Sequence, residues 1–342
     1  YCCCHQCYMQ VSSSELRRAI SRTIDKHGQQ WLDIPNVRSI GTDIKKTAGN
    51  ETGELCIQFA VDKKLSPEAI DAAVTRFLPS KVQLDNGLFV KTDIVENAAY
   101  LNHTIIGAGQ RSGIVEPRKG KSDPLRPGIS VSSSSGVPGT VGAIVELPTG
   151  DTKFILSCAH ILYDHLGDKS VYQPALDDGG TIGDSRIGEL VGWYIGAKGD
   201  MALAKVEARI TSNSILDLNV QPKRIAAVEI GDILVKSGRT TGVTYGIVRD
   251  TNRWFSVPYP SVGTKTLTNC IYIEIDPARQ PADGEISQTG DSGSLWMIYD
   301  GGYTDIAVGM HTLGETASGL ENEYAIAMPI LPIMNHFNIR FS

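Results

Sequence analysis

Outside its first seven residues, this 342-residue chain has three cysteines, Cys56, Cys158 and Cys270. An odd number so widely spaced cannot build the disulfide framework of a small secreted protein, and it fits a reducing, cytoplasmic compartment. The other four crowd into Tyr1-Cys2-Cys3-Cys4-His5-Gln6-Cys7. That cluster could ligate a soft metal. A structural zinc site, however, spaces its ligands so that the chain can wrap the ion, and three adjacent cysteines do not. Residues 1–10 therefore read as a disordered or appended end, with no metal expected. A basic excess is also missing: 32 Lys and Arg face 38 Asp and Glu, for a formal net charge of −6. This argues against a broad nucleic-acid footprint. No apolar run approaches the roughly 20 residues of a membrane-spanning helix, so no membrane partner is expected. The first residues lack the charged and apolar regions of a signal peptide, although one could already have been removed.

What is present includes a hydrophobic fraction of 41%, ample for packed cores over two or three domains. The most informative stretch is Gln288-Thr289-Gly290-Asp291-Ser292-Gly293-Ser294. A serine between two glycines suits a nucleophile on a tight turn, but a hydroxyl is a poor nucleophile without a base and a group to orient that base. Upstream, Leu156-Ser157-Cys158-Ala159-His160 ends an apolar run in a histidine, and Gly199-Asp200-Met201-Ala202-Leu203-Ala204 opens another with an aspartate. Each residue alone has a structural explanation. Together they predict Ser292 as nucleophile, His160 as base and Asp200 as its orienting acid. The amides of Gly290 and Ser292 then offer an oxyanion hole. Cys158 is expected to be a small buried apolar residue rather than a second nucleophile.

The chain order His, Asp, Ser separates the serine triads found on unrelated folds. Through Ser157-Cys158-Ala159-His160, Asp200-Met201-Ala202-Leu203 and Gly290-Asp291-Ser292-Gly293-Ser294, the sequence resembles the trypsin-like, chymotrypsin-fold serine proteases over roughly residues 128 to 340. Ser237-Gly238-Arg239-Thr240-Thr241-Gly242-Val243-Thr244-Tyr245-Gly246 looks like a segment that marks bacterial members. The resemblance implies a serine endopeptidase that acts on protein or peptide substrates through an acyl-enzyme and needs no cofactor. It also implies a mostly β fold: two six-stranded antiparallel β-barrels, here preceded by a small α+β domain. A buried Asp291 needs a cation. In animal relatives the corresponding aspartate pairs with a new amino terminus freed by cleavage; in bacterial relatives it pairs with the arginine of the marker segment. Arg239 is therefore the expected partner, and the oxyanion hole is expected to form without such cleavage. An ordinary surface arginine is the alternative.

The expected organisation is an α+β domain over 11–110, a linker over 111–130, a first barrel over 131–220 and a second over 221–342 with a terminal helix. Ser12-Ser13-Ser14-Glu15 predicts a helix cap, with the helix running to about Gly28. Val37–Ile44 and Leu55–Val61 flank a turn and read as a hairpin. A second helix is expected from Ser66-Pro67-Glu68 to about Phe77, then a strand over Leu88–Val95. This domain either engages a regulatory partner or only packs. The run from Arg118 to Gly128 carries charge, proline and glycine and predicts a solvated linker. Short apolar runs from Val141 onward suit barrel strands. A split near 211–225 would leave His160 and Asp200 on the first barrel and Ser292 on the second.

For specificity, the resemblance puts Ile286 on the floor of the substrate pocket with Ser287 beside it. An apolar floor disfavours lysine or arginine there. Val308-Gly309-Met310-His311-Thr312-Leu313-Gly314 resembles a segment of glutamyl endopeptidases and picornaviral cysteine proteases whose histidine contacts Glu or Gln. Ser287 and His311 could donate hydrogen bonds to such a side chain; a core histidine and a small apolar substrate residue are the alternatives. A latent or non-catalytic protease-fold scaffold that binds peptides is the rival to catalysis.

Overall fold

The computed structural model describes residues 12–48, 50–64, 78–96, 117–315 and 323–342. The cysteine-rich end and the helix expected over 66–77 lie outside them. Two compact units divide the chain, Tyr1–Asn97 and Ala98–Ser342.

In the first unit, helix α1 (Ser13–Leu32) starts at the predicted cap. The Ser12 hydroxyl accepts from Glu15 N at 3.2 Å, and the Glu15 carboxylate accepts from Ser12 N at 3.0 Å. The helix passes Gly28 and continues to Leu32, because Ala19, Ile20, Thr23, Ile24, Gly28 and Leu32 recur on one face and bury together. Strands β1 (Val37–Thr47) and β2 (Asn50–Val61) form the expected antiparallel hairpin. Strand β3 (Lys81–Gln83) pairs antiparallel with β4 (Phe89–Glu96), which lies parallel to β2. Trp31 meets Phe59 of β2 edge-on, 5.5 Å between ring centroids, and fastens the helix to the sheet.

The second unit opens with residues expected to be a solvated linker, yet Leu125 and Ile129 are buried. Arg118 is buried too, and its guanidinium donates to Ser237 Oγ at 2.8 Å and Gly238 O at 3.0 Å. Polar character here serves internal hydrogen bonds rather than solvation. Strands β5 (Ser130–Val131) and β6 (Gly139–Thr140) pair with each other. Next come β7 (Ala143–Glu146), β8 (Lys153–Ser157), the short helix α2 (Ala159–Leu162), β9 (Ser170–Tyr172), β10 (Arg186–Gly196) and β11 (Gly199–Val206). After β12 (Arg224–Ile225) follow β13 (Ile233–Gly238), β14 (Gly242–Tyr259), β15 (Gly263–Ile275), β16 (Leu295–Tyr299), β17 (Tyr303–Gly314) and β18 (Tyr324–Pro329). The chain ends with helix α3 (Ile330–Phe337) and β19 (Arg340–Phe341).

The later strands close on themselves. Antiparallel pairing runs β13–β16–β17–β18–β15–β14 and returns from β14 to β13, a six-stranded barrel. Leu234, Val248, Ile271, Ile273, Ile286, Trp296, Val308, Ala325 and Ala327 fill it. The earlier strands make a second six-stranded antiparallel sheet in the order β19–β7–β8–β11–β10–β9. Strand β19 is its unexpected member: after α3, the chain returns to β7, and Arg340 pairs with Glu146 at 2.7 Å. Strand β12 adds outside the closed ring, parallel to β17.

Candidate active site

The end of β8 delivers His160, because the chain turns from strand into α2 just before it. Asp200 is the second residue of β11, fully buried, and accepts from His160 N at 3.1 Å and from His160 Nδ1 at 2.5 Å. An ionised carboxylate only accepts, so this pair assigns the proton to Nδ1 and leaves Nε2 to accept from a nucleophile. Nε2 is buried and has no hydrogen-bond partner among the described residues. Tyr259, at the end of β14, packs its ring 6.3 Å from that of His160. Burial, then the charge of Asp200, keeps its hydroxyl protonated far above the ordinary range. The same two causes raise the Cys158 thiol. Cys158, His160 and Asp200 have ligand atoms within 4.8 Å of one another. A metal would need Cys158 as thiolate and would compete with the His160–Asp200 hydrogen bond, so the trio suits proton transfer better than metal binding.

Ser292 sits on the loop between β15 and β16. Gly290 and Gly293 have φ of 100° and 98°, which L side chains rarely adopt. They also have no room for a side chain. A Cβ on Gly290 would lie 2.5 Å from Thr240 Oγ1, and one on Gly293 would lie 2.3 Å from both Ser157 Oγ and Thr140 O. These close approaches set the serine loop against the turn after β13, against β6 and against the end of β8, the strand that leads to His160. Thr140 N donates to Ser292 O at 2.8 Å, the Ser157 hydroxyl donates to Thr140 O at 2.8 Å, and Cys158 Sγ donates to His311 O at 3.3 Å. The Ser292 hydroxyl itself is buried and donates weakly to Thr312 O at 3.4 Å.

Asp291 is fully buried, as a residue beneath an oxyanion loop would be, but its cation is not the expected one. Lys236 Nζ approaches it at 3.2 Å, and both side chains are wholly enclosed. Asp291 also accepts from Thr240 N at 2.8 Å, Thr241 N at 3.1 Å, Thr241 Oγ1 at 2.6 Å and Gln288 N at 3.0 Å. Burial alone would raise its pKa. The Lys236 ammonium, the Thr241 hydroxyl, His311 and the Gln288 N–H together hold it well below the ordinary carboxylate range. Arg239 instead pairs with Asp178 through two guanidinium nitrogens, its Nε at 2.9 Å. Strand alternation explains the correction: Lys236 and Gly238 share a face of β13, and a Cβ on Gly238 would fall 2.3 Å from Asp291 Oδ1. Arg239 lies past that strand end and reaches across to the turn at 176–178. Lys236 was the residue missed, although a lone lysine in Ile233-Leu234-Val235-Lys236-Ser237-Gly238 was the available signal.

Of the pocket candidates, Ser287 and His311 are fully buried, and Ser287 Oγ has no hydrogen-bond partner among the described residues. The His311 ring stands edge-on to Trp296 with centroids 6.3 Å apart. Ile286 packs into the later barrel's core beside Trp296. Its side chain therefore belongs to the core, while its carbonyl accepts from the Thr244 hydroxyl at 2.8 Å.

No protein-family model matches the sequence, and no curated protein matches it. Solved structures do. One is a glutamic acid specific serine protease that utilizes a histidine triad in substrate binding, 18% identical, covering 64% of this chain and 100% of that one, with a TM-score of 0.48. Thermobifida fusca protease A is 18% identical over 64% of this chain and 98% of its own, TM-score 0.45. Nocardiopsis protease is 18% identical over 64% and 99%, TM-score 0.46. Likeness at that level carries no argument about activity. By its own strand pairing, the second unit has the double six-stranded architecture of chymotrypsin-like serine proteases.

Proposed function

We propose that the protein is a serine endopeptidase. The observation that carries this is the His160–Asp200 pair at 2.5 Å, with Nε2 left to accept and Ser292 O bonded to Thr140 of β6, whose own carbonyl accepts from Ser157 at the end of β8. In the reaction, the Ser292 hydroxyl exchanges its weak bond to Thr312 O for one to His160 Nε2. Catalytic hydrogen bonds are often long in unliganded enzymes and tighten with substrate. Ser292 Oγ attacks the carbonyl carbon while Nε2 takes its proton, and Asp200 stabilises the imidazolium. The negative oxygen is met by the Gly290 and Ser292 amides. Collapse expels the amine, which takes the proton from His160, and water repeats the steps to release the acid and restore Ser292.

We assign the preference to Glu or Gln before the cleaved bond, with Ser287 and His311 as donors to that side chain. Support comes from the buried Ser287 hydroxyl, which has no hydrogen-bond partner among the described residues and which a polar side chain would suit better than an apolar one. One observation favours a latent form as the second reading: Ser292 is fully enclosed, and its hydroxyl engages Thr312. Digestion of a peptide library by the full chain tests both. Cleavage after Glu or Gln that Ser292→Ala abolishes and His311→Ala redirects supports the proposal. Intact peptides with a folded chain support latency.

A further inference from the structure

Two buried cations approach the serine loop, and they do different things. Arg239 spans from the end of β13 to Asp178, whereas Lys236 is enclosed inside β13 and touches Asp291 directly. Among the described residues the Lys236 ammonium has few other partners: the Thr241 hydroxyl accepts from it at 2.8 Å, and it stands 5.6 Å from the centre of the Trp296 ring. Asp291 in turn gathers the amides of Thr240, Thr241 and Gln288, so its carboxylate ties β13's turn to the loop carrying Gly290 and Ser292. Remove the ammonium and a fully buried carboxylate is left short of its cation, which is costly enough to drive the side chain out toward water. The amides it gathers would then lose their anchor.

We propose that Lys236 is a positioning residue, the permanent internal counter-ion of Asp291 that keeps the Gly290 and Ser292 amides aimed at the substrate without any free amino terminus. The inference rests on the proposed role of Ser292, but its structural part does not. The charged groups facing Lys236 are Asp291, Arg118 and Asp283. Burial lowers the Lys236 pKa and Asp291 opposes this. Alkaline pH therefore removes the counter-ion and should slow turnover without weakening substrate binding.

The test compares the full chain with Lys236→Met and with Lys236→Met/Asp291→Asn, by hydrogen exchange over residues 288–294 and by kcat and KM. Expected are faster exchange confined to that loop in Lys236→Met, a kcat lower by about 100-fold or more with KM little changed, and partial recovery of protection in the double variant. In the unaltered chain, loop exchange should rise at alkaline pH beyond the rise seen in β8 and β11. That measurement needs no variant, so a Lys236→Met chain that fails to fold does not spare the proposal. Unchanged loop protection in Lys236→Met, or an alkaline rise no larger than that of β8 and β11, overturns it. If Ser292 proves unreactive, the peptidase proposal fails while the exchange result still decides the role of Lys236.

Discussion

Gly238→Ala places a single methyl group where the site is tightest. The new Cβ would lie 2.3 Å from Asp291 Oδ1, 2.7 Å from its Cγ and 3.1 Å from its Cβ. Gly238 has no positive φ, so backbone strain adds nothing and the effect is steric. An ordinary contact needs about 3.4 Å or more, so Asp291 must withdraw by roughly 1 Å. Its hydrogen bonds of 2.6 to 3.2 Å cannot follow. Overpacking costs about 1–3 kcal/mol, and disturbing a buried ion pair adds to it, with full loss near 3–5 kcal/mol. A net destabilisation of about 3 kcal/mol follows, or roughly 6–12 °C in Tm for a unit of this size. Loss of aligned oxyanion donors should cost turnover about 100-fold or more. Thermal unfolding and Ser292 labelling rates read both effects. Gly302→Ala is the control, since nothing lies within 4 Å of its Cβ position, and it should stay within about 0.5 kcal/mol of the parent. A Gly238→Ala chain as stable and reactive as this control would refute the packing of Asp291 against β13.

Glu323 supplies a pH test. Burial, then the neighbouring carboxyls of Glu285 and Glu315, push its carboxyl up to about 9. The folded chain thus keeps a proton that the unfolded chain loses near 4.5. Stability from this group is complete below about 4.5 and declines as pH rises to about 9. Glu323→Gln should remove that decline, so its Tm advantage should widen across the window; a pH-independent difference would count against it. Arg239→Met strands the buried Asp178 and should cost about 3–5 kcal/mol, whereas Arg239→Met/Asp178→Asn should recover much of it. Equal losses in the two chains by denaturant unfolding would show that the pair contributes no net coupling.

Much of the fold was legible where the pattern is local. The Ser12–Glu15 box, the β1–β2 hairpin and the order of His160, Asp200 and Ser292 follow from capping, alternation and glycine placement. Contacts between distant segments were harder. Arg239 carried the family resemblance, but only the register of β13 reveals that Lys236 and Gly238 face Asp291. Strand β19 is two residues long and has no periodicity to detect; its place is fixed by β7. A basic residue among prolines and glycines is usually solvated, whereas the enclosure of Arg118 depends on carbonyls supplied by Gly128 and Gly238. The resemblance places Ile286 on a pocket floor, yet its side chain packs in the barrel core.

The central claim is that His160 and Asp200 activate Ser292, and reaction of the full chain with a fluorophosphonate probe tests it most directly. The account predicts stoichiometric labelling at Ser292 that is lost in Ser292→Ala and slowed by about 10⁴-fold in Asp200→Asn, where the imidazole holds the wrong tautomer. No labelling of a folded chain, or labelling indifferent to Asp200→Asn, would contradict it.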